Sequence, residues 1–310
     1  MNYPEPYIHR LPVELLQKIF LLVVNDVYCP RIFLYGKTTI SANFTSPPLV
    51  FTLVCCRWRA VAHTTPGIWS RIQVAFSGRP EPLKPFLPSL LESWLGRSAQ
   101  PLTLRIVFEE CYNPPYSRRQ LLESSEADSQ LFKILLSESR RWETVAIASP
   151  IQYWSHDFDT PKLTALGCSL RDLSRFNAPD LHYLCTRVSR SAVTEFKPTP
   201  SCKNVRHLRL RDADSAYALR ETLVIFPHLE TIVVDAIETH FREEQKPITN
   251  SCLESMTLPL EVGRKFRLQR YLDGVHLPKL KELIIVGGMN KEETAYVNSL
   301  VECYLEKCRR

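Results

Sequence analysis

Leu181, Val205, Leu229 and Leu253 stand 24 positions apart in this 310-residue chain, and each opens the same short apolar pattern. The four copies read Leu181-x-x-Leu184, Val205-x-x-Leu208-x-Leu210, Leu229-x-x-Ile232-x-Val234 and Leu253-x-x-Met256-x-Leu258. Leu163-x-x-Leu166 precedes them by 18 positions and Leu280-x-x-Leu283-x-Ile285 follows by 27. So strict an interval marks one supersecondary unit recurring, each copy too small to bury its apolar side without its neighbours. Pro161, Pro179, Pro227 and Pro278 each lie two residues ahead of a copy. Proline ends a preceding helix and turns the chain extended at that point.

Within a copy, the first, fourth and sixth residues are expected in a shared core, and period-two alternation turns the residues between them to an open face. That predicts Tyr183, Arg187, His207, Arg209, Arg211, Asp235, Thr257 and Glu282 on one accessible surface. Arg187, Arg209 and Arg211 with His207 form a basic spot there, suited to a carboxylate or phosphate of a target protein. The array resembles leucine-rich repeats, whose unit runs to roughly 20–29 residues. Ala213, Ile237 and Glu261 stand where such repeats usually carry asparagine.

Upstream, alternation predicts strands at 71–76, 101–106 and 141–147, with helices around Leu90 to Leu95 and Leu131 to Glu138 between them. Downstream, Asn290 caps a helix carrying Val297, Leu300, Val301, Tyr304, Leu305 and Cys308 on one side and basic residues at its end. That helix is expected to cover the open end of the array.

The N-terminal region is of another kind. Leu11-Pro12-Val13-Glu14-Leu15-Leu16-Gln17-Lys18-Ile19-Phe20 reads as a proline-opened helix. A second helix follows Ser46-Pro47-Pro48 and carries Val50, Leu53, Val54, Trp58 and Val61, and Thr65-Pro66-Gly67-Ile68-Trp69 then returns an aromatic to the pair. So few helices cannot bury all of this apolar surface among themselves, which leaves some of it for a partner.

The constellation Leu-Pro-x-Glu-Leu-Leu-x-x-Ile-Phe, Val-Cys-x-x-Trp-Arg and Thr-Pro-x-x-Trp resembles the F-box of fungal proteins over residues 8–74. The 25–43 segment is an insertion relative to that pattern. The resemblance implies docking onto the small adaptor of SCF ubiquitin ligases, and through it onto cullin and RING subunits. It carries Leu11, Pro12, Leu15, Leu16, Ile19, Phe20, Val54, Trp58 and Trp69 over as adaptor contacts or their supports. The array would then read an unknown protein substrate, with no catalysis by the chain itself. A scaffolding protein with F-box-like helices and no ligase role is the other reading that these residues allow.

The expected fold class is therefore α/β: small all-α F-box helices over 1–75, a linker and first helix over 76–100, and an irregular leucine-rich-repeat-like solenoid with a C-terminal capping helix over 101–310. The composition, 45% apolar and 23% charged, is that of a globular chain, and no apolar run approaches the ~18 residues that a membrane span needs. A cytoplasmic or nuclear location is expected.

The net charge of +6 is spread along the sequence, so no nucleic-acid partner is expected. Ten scattered cysteines without a C-x-x-C pair read as reduced thiols, and no metal or cofactor is expected. No phosphate loop, G-x-S-x-G or H-E-x-x-H occurs. His156, Asp157 and Asp159 beside Trp154 are the one cluster that a hydrolase would use, and a polar loop is the plainer reading.

Overall fold

The computed structural model describes residues 7–26, 47–76, 86–98, 101–108, 126–147, 157–237, 247–259, 272, 274–287 and 298–306. It divides into two compact units, Met1–Ser149 and Pro150–Arg310.

In the first unit, a short turn of helix at Tyr7–Arg10 leads into α1 (Val13–Asp26), followed by α2 (Phe51–Val54), α3 (Cys56–His63) and a helical turn at Pro66–Trp69. Strand β1 (Arg71–Phe76), α4 (Phe86–Arg97), β2 (Leu102–Phe108), α5 (Glu126–Ser137) and β3 (Trp142–Ile147) complete it. The strands lie in the order β1, β2, β3 and pair in parallel, each connection carrying a helix. Leu16, Phe20 and Val24 recur every fourth residue of α1 and are buried. Phe20 stacks on Phe51 with ring centroids 4.1 Å apart, and Trp58 closes on Phe20 at 5.0 Å. Trp69 meets Trp94 of α4 edge to face at 5.0 Å. Both indoles give their N–H to backbone carbonyls, Trp69 to Ala62 at 2.8 Å and Trp94 to Trp69 at 2.9 Å, which satisfies the donors that burial would otherwise strand. Gly67 sits so close to α1 that a Cβ there would lie 2.8 Å from Leu21 Cδ2.

The second unit holds β4 (Phe158–Asp159), β5 (Ala165–Gly167), β6 (Phe176–Asn177), β7 (Tyr183–Val188), α6 (Arg190–Glu195), β8 (His207–Ala213), α7 (Ala216–Ile225) and β9 (Thr231–Val234). It continues with β10 (Ile248–Thr249), β11 (Ser255–Pro259), β12 (Val275–His276) and β13 (Glu282–Val286), and a helix covers 298–306. β5, β7, β8, β9, β11 and β13 lie side by side in parallel, and β4 with β6 and β10 with β12 form two small parallel pairs. Leu184, Leu208, Ile232, Met256 and Leu283 align in register as one buried row. Each such side chain contributes about 1.5–3 kcal/mol by leaving water. The 24-residue interval is thus the distance from one strand to the next in register.

The expected fold class is corrected by this architecture. A small all-α N-terminus followed by a leucine-rich-repeat-like solenoid is not what forms: the described residues are mixed α/β, with thirteen strands paired in parallel and few helices, and they show no solenoid. Three of those strands, β1 to β3, already belong to the first unit. The physical reason lies in the return segments. They are a helical turn at Leu170–Arg175 before β7, α6 with a turn at Pro200–Lys203 before β8, and the ten-residue α7 before β9. Strands recur, but no common return unit recurs with them. The terminal helix, expected from Asn290, is described only over 298–306, where Tyr304 donates to the Val275 carbonyl at 3.0 Å.

No described helix is long and apolar enough to cross a membrane.

Candidate functional site

Two surfaces carry side chains that the interior does not use. On α1, beside the buried Leu16, Phe20 and Val24, the side chains of Val13, Leu15, Ile19, Leu22 and Val23 are all exposed. Leu22 is 61% exposed, and on α2 Leu53 and Val54 stand 58% and 53% exposed. The apolar set of α1 is therefore wider than one packed face accepts, and its surplus stays in water. Local bonds fix the helices that present it. The Arg57 guanidinium donates to the Leu11 carbonyl, tying α3 to the start of α1. Cys55 Sγ accepts the Trp58 amide at the head of α3, and Arg59 Nε donates to the Thr52 carbonyl at 2.8 Å. His63 is held below the ordinary imidazole value by burial, then by the nearby Arg97 and Arg59 cations.

The nine residues carried over from the F-box pattern divide on this geometry. Pro12, Leu15, Ile19 and Val54 are exposed, Leu11 and Trp58 are half-buried, and Leu16, Phe20 and Trp69 are interior. The last three can support a docking surface but cannot touch a partner. Leu22 and Leu53, among the most exposed apolar residues here, were missed because periodicity finds an apolar stripe without telling which of its edges is covered.

The second surface is the outward face of the parallel strands in the second unit. Tyr183, His207, Thr231, Ser255 and Glu282 form one transverse row. His207 Nδ1 lies 2.9 Å from Thr231 Oγ1, and Ser255 Oγ donates to Glu282 Oε2 at 2.9 Å. Two residues on, Cys185, Arg209, Val233, Thr257 and Ile284 form the next row. Arg209 pairs with Asp235, Nε to Oδ2 at 2.9 Å, and that bond holds its guanidinium above its ordinary value. Arg187 and Arg211 are exposed beyond this row. All eight residues expected on the open face are thus brought onto this sheet. A register shift in the β7–β8 pairing after Thr186 adds one residue to β8, so Arg211 and Asp212 both point outward while Ala213 returns to the core. Strict alternation could not anticipate Asp212. Nor did it single out Cys185, Val233, Ile284 or Val286, which lie on the same face.

A pocket of about 330 Å³ opens at the carboxyl ends of β7 and β8, with Arg171, Arg187, Ser189, Asp212 and Asp214 among its lining. Asp214 is engaged there by the Arg190 amide at 2.8 Å and by Ser215 Oγ at 2.9 Å, and Arg171 pairs with Glu195 at 2.9 Å. Below it, burial raises the Cys168 thiol well above its ordinary value, with the Asp172 carboxylate adding to the effect, so Cys168 is a protonated core group.

Among the described residues no three His, Cys, Asp or Glu side chains gather as a metal site requires. His156 lies outside the described residues, as does most of the 25–43 segment. Asp157 is exposed, and Asp159 accepts from Asn177 Nδ2 at 3.4 Å. Compared with protein-family models, with curated proteins and with solved structures, the chain matches none.

Proposed function

We propose that the chain is a non-catalytic substrate-recognition adaptor of a cullin–RING ubiquitin ligase, docking the small SCF adaptor through α1 and α2 and reading a target protein with the sheet face of its second unit. The observation that carries this reading is the apolar surface of Leu15, Ile19, Leu22, Leu53 and Val54, left in water on the helices that bear the F-box-like motif. Contiguous exposed apolar side chains on a soluble domain mark a binding surface, and a few such anchors hold most of an interface. Such a chain raises the effective concentration of a target near the ubiquitin-charged enzyme, with no bond chemistry of its own.

The test is co-purification of the SCF adaptor and cullin with the full chain. Leu15→Asp with Ile19→Asp should abolish their recovery, since each anchor is worth on the order of 2 kcal/mol or more. Both residues are exposed in the free chain, so the double variant should keep wild-type circular dichroism. Wild type that recovers no adaptor would overturn the ligase reading, and recovery of other proteins through the same two residues would favour a scaffold.

A further inference from the structure

The outward face of the second unit is not uniform. At the β7–β8 side it is cationic. Arg211 Nε donates to Cys185 Sγ at 3.3 Å, which draws the Arg211 side chain over β7. Cys185 lies two residues before Arg187 on that strand, and the two side chains share the outward face. Arg209 is neutralised by Asp235, whereas neither Arg187 nor Arg211 makes an ion pair among the described residues. Arg187 and the Arg211 side chain therefore both lie on the β7 side of this face, with Asp212, the register partner of Arg187, as the negative charge on the adjoining strand position. At the β13 side the same face is apolar: Ile284 is 40% and Val286 57% exposed, with Val233 and Thr257 half-buried between the two ends.

The spacing of these ends sets what spans them. From β7, over which Arg187 and the Arg211 side chain lie, across β8, β9 and β11 to β13 there are four strand-to-strand steps, about 19 Å in all. An extended chain rises ~3.4 Å per residue and returns its side chains to one face every second residue, so a separation of six residues covers that span with both terminal side chains turned to the sheet. We infer that this face holds an extended segment of the target protein, laid across the strands with a glutamate or aspartate carboxylate over Arg187 and Arg211 and an aliphatic side chain six residues away over Ile284 and Val286.

A carboxylate fits better than a phosphate. With Arg209 and Asp235 paired, Arg187 and Arg211 beside Asp212 leave a single net positive charge, which one carboxylate balances while accepting a forked guanidinium bond. The inference rests on the proposed role of this face as the target reader, and it adds the chemical class of what is read.

The probe is a fluorescein-labelled nonapeptide with glutamate and leucine six residues apart, valine two and four residues after the glutamate and serine elsewhere, titrated with the full chain by fluorescence anisotropy. Saturable binding is expected. Replacing the peptide glutamate by glutamine should weaken it about tenfold and moving the leucine by one residue about fivefold, with no change to the protein. Arg187→Glu with Arg211→Glu should weaken binding at least tenfold, and Ile284→Ser with Val286→Ser about fivefold. Absence of binding to wild type, or equal affinity for the charge-reversed variant, overturns the inference. Tighter binding of a phosphoserine peptide also overturns it, making the face a phosphate reader. Peptide binding without adaptor recovery would sink the ligase reading and leave this inference standing, and adaptor recovery without peptide binding would sink this inference alone.

Discussion

The helical corner of the first unit and the sheet of the second solve the same burial problem by opposite means. In the corner a few large aromatics do the work: Phe20, Phe51 and Trp58 in one cluster, Trp69 and Trp94 in another. Each occupies a unique place, and the indole donors of Trp69 and Trp94 are each satisfied by a single backbone carbonyl. In the sheet, aliphatic side chains of similar size are repeated strand after strand, as in the row from Leu184 to Leu283. Concentrated burial frees the far side of α1 to stay apolar in water, while distributed burial frees the outward strand positions to be polar. The two candidate surfaces differ in chemistry because the two cores differ in how many residues share the load.

The comparison is broken most directly at Trp69. Trp69→Ala should cost about 4 kcal/mol, because it removes the edge-to-face contact with Trp94, leaves a cavity and takes one of its two donors from the Ala62 carbonyl. Urea denaturation measures the loss, and hydrogen exchange should rise first among the backbone amides of 60–74. A cost under ~1 kcal/mol would mean that the corner is not held by concentrated aromatics.

Asn250 sharpens the contrast from the other side, as a place where the sheet unit also depends on a single residue. It is 2% exposed, and its Nδ2 donates to the Leu223 and Phe226 carbonyls at 3.1 and 3.3 Å. Its Oδ1 accepts the Cys252 and Leu253 amides, both at 3.1 Å. The side chain thus joins the end of α7 to the turn that opens β11. Asn250→Ala would leave four buried backbone groups without these partners and should cost about 2 kcal/mol in urea denaturation. Asn250→Asp should be destabilising too, since a carboxylate cannot donate to the two carbonyls.

Much of the sheet was legible in the sequence because strand patterning is local. The alternations at 71–76, 101–106 and 141–147 and the 24-residue interval all lead to strands, and the outward positions followed from parity. What parity cannot contain is an event between strands. The extra residue at Arg211 depends on how β8 pairs with β7, so Asp212 was not expected on the face. Nor does a repeated strand specify a repeated return, which is why the interval suggested a solenoid that does not form. The α1 stripe has the same limit: Leu15 and Leu16 are equivalent in hydropathy, and only the place of Phe51 and Trp58 decides that Leu16 is inside and Leu15 outside. The interior placement of Leu16, Phe20 and Trp69 therefore had to come from three dimensions.

The smallest effect expected concerns the ion pairs that cross the outer strands. Lys281 Nζ donates to Glu254 Oε2 at 2.7 Å, and this bond and charge hold the Glu254 carboxyl below its ordinary value. A carboxyl lowered in the folded state adds stability that is complete above its unfolded value, about 4.3, and is lost as pH falls through the lower folded value. The pair is open to solvent, so its share is small and falls further with salt. Carbon-detected NMR titration should place Glu254 below the ordinary glutamate value, and Lys281→Met should return it upward while the urea midpoint at pH 7 stays nearly unchanged. A large drop in that midpoint would mean that surface charge, rather than the aliphatic row beneath it, holds β11 to β13, and the sheet would then resemble the corner in resting on single contacts.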